Sequence, residues 1–263
     1  MDILSALLSQ TGFFLLIFAR ISGIFSTLPF LGSRNIPVLV KAGLSILFSF
    51  LLLPLVYSTN TVIPEKLLPY VLLVIQEFLV GLIFGYVSSF FMYAVQMAGH
   101  IMDLQIGFGM VNVFDPQQGQ QIPLLGNFQY ILAMLVFLLL NGHHVLISAL
   151  FASFKVVPIT GVVFDATLTQ FMVDIFVNTF SIAFKISVPI LSALLITDVA
   201  MGILARTMPQ MNIFVVGVPG KIAVGIFVLL IGLPFYVGAL GVGFDAMYRD
   251  VYNLLYILQP TVH

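Results

Sequence analysis

Three ionisable residues, Arg20, Glu77 and Lys185, stand inside stretches that are otherwise apolar enough to cross a membrane. A charge at the centre of a membrane helix costs about 2.5 to 3.5 kcal/mol on insertion scales, so all three are expected to face protein or water rather than lipid. Two chemistries suit such a set: a relay for protons or ions, or structural charge pairs within the chain and between subunits. Two cations against one carboxylate leave a charge over unless Asp174 or another subunit supplies the partner, which favours a multi-chain assembly. Glu77, Gly81 and Gly85 recur every four residues and share one helix face. Gly81 and Gly85 there form a small-residue pair that lets another helix approach closely.

The remaining reactive side chains are not arranged for catalysis. His143 and His144 follow Asn141 and Gly142, and His100 precedes Asp103 by about one helical turn, but neither arrangement is a metal signature. The sequence has no zinc-protease histidine pair, nucleophile elbow or phosphate loop. Without cysteine, disulfides, thiol chemistry and thiolate-bound metal are excluded. No catalytic residue, metal site or cofactor is expected.

A different property gathers around residues 92–118. Met92, Met97, Met102 and Met110 crowd into this part of the chain together with Phe108, Phe114, Gly107 and Gly109. Methionine is soft and unbranched, and glycine opens backbone conformations closed to other residues. The segment from Ile106 to Gln118 therefore suits a deformable apolar seal, and equally suits the packed core of a re-entrant segment. Pro116 holds Asp115 extended and keeps the segment from merging into a helix.

These residues must be positioned by membrane helices. The chain has 263 residues, 61% hydrophobic and only 7% charged, against about 25% charged in a soluble domain. The net charge of -1 provides no basic surface for nucleic acid. The opening Met1-Asp2-Ile3 lacks the features of a signal peptide, so the first apolar segment is expected to remain. Taking about 20 apolar residues per crossing, six segments qualify: 13–31, 42–64, 78–102, 122–140, 171–197 and 222–244. A third helix that begins near Leu67 would include Glu77. The expected fold is an all-α membrane protein of about six hydrophobic helices, some broken or bent into hairpins, with a buried Gly/Met/Phe-rich loop. Residues 1–263 form one membrane domain in this reading.

The connectors 96–121 and 206–221 mix glycine or proline with apolar residues. They are expected to be irregular backbone buried by protein or lining a watery cavity, because lipid cannot satisfy free N–H and C=O groups. Segments 32–41, 58–66 and 141–170 carry ordinary turn residues and are expected to be short links. Lys66, Lys155 and Arg249 on one side nearly balance Arg34, Lys41, Arg206 and Lys221 on the other, so positive charge does not set the orientation.

Several motifs in order resemble the FliR family of flagellar export proteins. They are Arg20-Ile21-Ser22-Gly23 with Pro29, Arg34-Asn35-Ile36-Pro37 running into Lys41-Ala42-Gly43-Leu44, Phe114-Asp115-Pro116-Gln117, Asn141-Gly142-His143, and Arg206-Thr207-Met208-Pro209-Gln210-Met211-Asn212-Ile213-Phe214 with Gly217 and Pro219. The resemblance covers nearly the whole chain. It implies a subunit that joins FliP and FliQ in the export gate of the bacterial inner (cytoplasmic) membrane, at the flagellar basal body, with FlhB and FlhA nearby. It further implies that unfolded flagellar proteins pass through the centre, and that a loop around Ile106, Gly107, Phe108, Gly109, Met110, Asn112, Phe114, Asp115 and Pro116 helps to plug the channel. Relatives in injectisomes share this plan. A small-solute secondary transporter is the alternative from another class, but the two related halves usual for one are not found.

Overall fold

The computed structural model describes residues 3–33, 35–57, 64, 66–107, 123–162, 164–210 and 212–259. Among these the regular structure is helical throughout: α1 (Ile3–Thr27), α2 (Val38–Val56), α3 (Leu67–Ile106), α4 (Leu124–Leu139), α5 (Gly142–Val156), α6 (Ala166–Thr207) and α7 (Ile213–Ile257). Five helices are long and apolar enough to cross a membrane, and the pair α4 and α5, broken at Leu140 and Asn141, makes a sixth candidate. Asn141 takes the left-handed conformation at that break, φ 55°, one of the few residues besides glycine to do so readily.

Helix ends depart from the sequence expectation in three places. Helix α3 continues through Ile106, so the first part of connector 96–121 is regular. Segment 141–170 holds the whole of α5 rather than a short link. In connector 206–221, Met208 to Gln210 and Asn212 lie outside helices, and α7 begins at Ile213 with Gly217, Pro219 and Gly220 inside it. The physical reason is the same in each case. A charge or a glycine ends an apolar run, but it does not end a helix whose backbone has no competing water. Helix α7 runs unbroken past Lys221, Asp245, Arg249 and Asp250. Helices α3, α6 and α7 have 40, 42 and 45 residues, about 60 to 68 Å at 1.5 Å per residue.

The chain forms two compact units, Met1–Phe90 with Asn141–Ile175 and Asp245–His263, and Phe91–Leu140 with Phe176–Phe244. In the first, α1 buries Phe13, Leu16, Ile17, Arg20, Ile21 and Ile24, a stripe at three- and four-residue spacing. Phe25 meets Phe48 of α2 edge to face at 5.4 Å, and Phe13 meets Tyr57 at the same distance. The crossing of α1 with α3 is backbone against backbone. A methyl group on Gly23 would fall 2.5 Å from the carbonyl of Phe78, and one on Gly81 would fall 2.9 Å from the Ile24 nitrogen. Gly85 faces Thr27 and the Ile24 carbonyl.

In the second unit, Ala94, Ala98, Met102 and Ile106 line one face of α3 at every fourth residue. They pack with Leu125 of α4 and with Ala183, Ile190 and Leu194 of α6. Phe244 lies 5.0 Å from Phe91 and 5.5 Å from Phe137.

Candidate functional site

In the first unit, the charges Arg20 and Glu77 meet. Arg20 Nε donates to Glu77 Oε2 at 2.6 Å, and both residues are almost fully enclosed. Arg20 Nη1 also donates to the carbonyls of Ser153 at 3.1 Å and Val157 at 2.8 Å, the last turn and C-cap of α5. A cation is favoured there, because the free carbonyls of a helix C-terminus carry partial negative charge. The guanidinium carbon stands 4.6 Å from the Phe154 ring centre. Glu77 Oε1 accepts the backbone N–H of Thr160 at 3.0 Å. Thr160 has φ 73°, costly for a β-branched residue, so Glu77 holds a strained turn in place. The pair ties α1, α3 and the end of α5 together: both Glu77 oxygens and the Nε and Nη1 of Arg20 are bonded, while the buried Nη2 has no partner among the described residues.

The second unit has its own buried charge, Asp103, at 6% exposure. Its Oδ1 accepts from Leu125 N at 2.9 Å and its Oδ2 from Gly126 N at 3.1 Å. These are the second and third N–H groups of α4, whose own N-cap, Pro123, makes no side-chain bond. Asp103 thus does from α3 what a serine or aspartate cap does from within a helix. The same crossing is close. A methyl on Gly99 would fall 2.6 Å from the Gly126 nitrogen. Ile106 is fully buried in the core cluster, and Gly107 follows it with φ 95°, accessible to glycine but strained for other residues. Of the expected seal residues, only Ile106 and Gly107 fall among the described residues; Phe108, Gly109, Met110, Asn112, Phe114, Asp115 and Pro116 lie outside them.

Beside Gly107 lies a cavity of about 500 Å³, lined also by Gln105, Asp198, Gly202, Gly217 and Lys221. Lys221 and Asp198 form an ion pair in its wall, and Gln105 Nε2 donates to Asp198 Oδ2 at 3.2 Å. Lys185 is exposed on α6 and has no ion-pair partner among the described residues. Asp174 is also exposed and accepts from Gln170 at 2.9 Å, one turn earlier on the same helix. No group of three or more His, Asp or Glu suited to a metal ion occurs among the described residues.

Sequence reasoning points to Asp103 only as the neighbour of His100 and to Lys221 only in the balance of positive charge, and to Asp198 not at all. The signal available for them was the same as for Arg20, a lone charge in an apolar stretch. Asp103 and Lys221 fall in stretches expected to be connectors, and Asp198 lies just past the expected end of segment 171–197.

The profile described as bacterial export proteins, family 1, matches residues 11–247. The chain is 40% identical over 223 residues to the flagellar biosynthetic protein FliR of Bacillus subtilis (strain 168), covering 83% of this chain and 85% of that one. The chain belongs to the FliR family of bacterial export proteins. Its likeness to the flagellar biosynthetic protein FliR of Escherichia coli (strain K12) is 31% over 240 residues, 90% of this chain and 88% of the relative. To that of Aquifex aeolicus (strain VF5) it is 29% over 220 residues, 84% of each. As a FliR-family member it is a membrane-embedded component of flagellar export. The family match takes in both Arg20 with Glu77 and Asp103 with α4.

Proposed function

We propose that this chain completes a channel with FliP- and FliQ-like subunits in the bacterial inner membrane, at the basal body, and that unfolded flagellar proteins cross through it. FlhB- and FlhA-like proteins are its further neighbours in this reading, residues 1–263 act as one gate component, and segment 106–118 plugs the channel.

One observation carries the proposal. The longest apolar helices are far from covered by their own chain. In an apolar window of 18 residues only 11% are buried in α6 and only 6% in α7. Lipid alone is a poor match for them, because a bilayer core is about 30 Å thick and about 40 to 45 Å with its headgroups. Exposed apolar side chains run along α6 from Val173 to Leu204 and along α7 from Val215 to Val242, about 47 and 41 Å at 1.5 Å per residue; both exceed the core, and the remainder suits protein. Lys185, exposed among Phe184, Val188 and other apolar residues of α6, suits a carboxylate on a neighbouring subunit.

Expression alone and with FliP- and FliQ-like partners tests the reading. The expected result is a large complex on co-expression and poor recovery of the lone chain. A monodisperse, stable monomer with no gain on co-expression would overturn it. The plug is tested separately by deleting residues 110–114. Normal complex yield with raised ion conductance is expected, and normal yield without a leak would remove the plug from the account.

A further inference from the structure

We propose that Asp103 is a positioning residue that fixes one stem, the end of α3, to another, the beginning of α4, so that Gly107 and Pro123, which flank segment 108–122, keep a fixed separation. The functional consequence rests on the plug reading above, but the tie itself is carried by α3 and α4.

Four observations converge. Asp103 stands one turn before Gly107, the last described residue of the first stem, and the Gly107 N–H bonds the Asp103 carbonyl at 3.2 Å. Its carboxylate holds Leu125 and Gly126, in the first turn of α4 after Pro123, where the second stem begins. Gly99 and Gly126 bring the two backbones together with no room for a side chain at Gly99. Met102 and Ile106 on one stem and Leu125 on the other belong to one buried cluster. A single residue thus reaches both attachments from the side. Two charge-assisted bonds to a helix N-terminus make this connection strong relative to ordinary hydrogen bonds. A cap within α4 itself, at position 123, would satisfy the same N–H groups but would leave α3 unconnected. That difference separates a tie from a mere cap.

The test uses the assembled complex containing the full chain. As the chain has no cysteine, L104C/L124C supplies its only two label sites, and both positions are exposed. Spin labels there read the distance between stems. The parent is expected to give one narrow distance distribution, D103A a broadened and shifted one, and D103A/P123S, which restores a cap inside α4, a distribution as broad as D103A. A broad parent distribution, a D103A distribution as narrow as the parent, or full recovery in D103A/P123S would each overturn the proposal. Should D103A fail to assemble, D103N, equal in size and lacking one acceptor, is expected to broaden the distribution partway, and no change would count against the tie. The conductance of the loop-deleted complex reads the plug independently. A narrow parent distribution that depends on Asp103, together with no leak on loop deletion, would reject the plug and leave the tie standing.

Discussion

Arg20 and Asp103 solve the same problem with opposite signs. Each is a buried charge that catches the open end of a helix from a neighbouring one, Arg20 the carbonyls ending α5 and Asp103 the N–H groups beginning α4. Arg20 is balanced by a full counter-charge, Glu77, which then holds the turn at Thr160. Among the described residues Asp103 forms no ion pair, and its carboxylate is held by the N–H groups of the helix terminus. The first arrangement locks three elements into a static knot. The second joins two elements at the edge of a segment that we propose to be functional. Charge in an apolar chain therefore need not mark a transport path; here it mainly decides where helix ends are held.

Breaking the Arg20 knot should give the largest effect. R20M leaves Glu77 enclosed without its partner, and removing one member of a buried pair costs roughly 3 to 5 kcal/mol. Complex yield and thermal stability should fall sharply, with part of the loss recovered in R20M/E77M. If R20M and the double variant were equally damaged, the paired charge would not be the reason that Arg20 matters. D103A should cost less, about 1 to 3 kcal/mol for stranding buried N–H groups, and no second substitution at a counter-ion should exist to rescue it. Thermal unfolding of the two complexes side by side checks the order.

How far these features were legible differs between the two regions. The centres of the long helices, and the shared face of Glu77, Gly81 and Gly85, follow from period and apolar length. Their ends do not, because Asp198, Lys221 and Asp245 interrupt apolar runs without interrupting hydrogen bonding. The role of Asp103 depends on a partner 22 positions away, which no local spacing reveals. The absence of a side-chain bond from Pro123 at the start of α4 is visible only once that helix is placed. For the segment beyond Gly107, the sequence offers composition and the resemblance, and the described residues fix only where it starts and ends.

Smaller effects sharpen the contrast. T160G keeps the N–H that Glu77 holds and relieves a left-handed conformation costly for threonine, so stability should be unchanged or raised by about 1 kcal/mol. A clear loss in a thermal scan would mean that the Thr160 side chain contributes something else. Asp165 marks the lower limit. It caps α6 by accepting from Leu168 N at 3.0 Å, and that bond holds its carboxyl below the usual carboxylate value. A lowered folded pKa contributes stability that is present above the ordinary value of 3.8 and lost as pH falls through the folded one. Amide exchange in the first turn of α6 should therefore be insensitive to this cap's titration across neutral pH and lose protection only in strong acid. D165N should weaken the cap already at neutral pH.

The central claim, that protein rather than lipid covers most of the long apolar helices, is open to direct chemistry. A photo-crosslinking residue at Phe227 or Phe235 of α7, both exposed on the isolated chain, reports its neighbour in the intact membrane. The account predicts crosslinks to other subunits of the export apparatus at one or both positions. Adducts with lipid alone at both positions would contradict it.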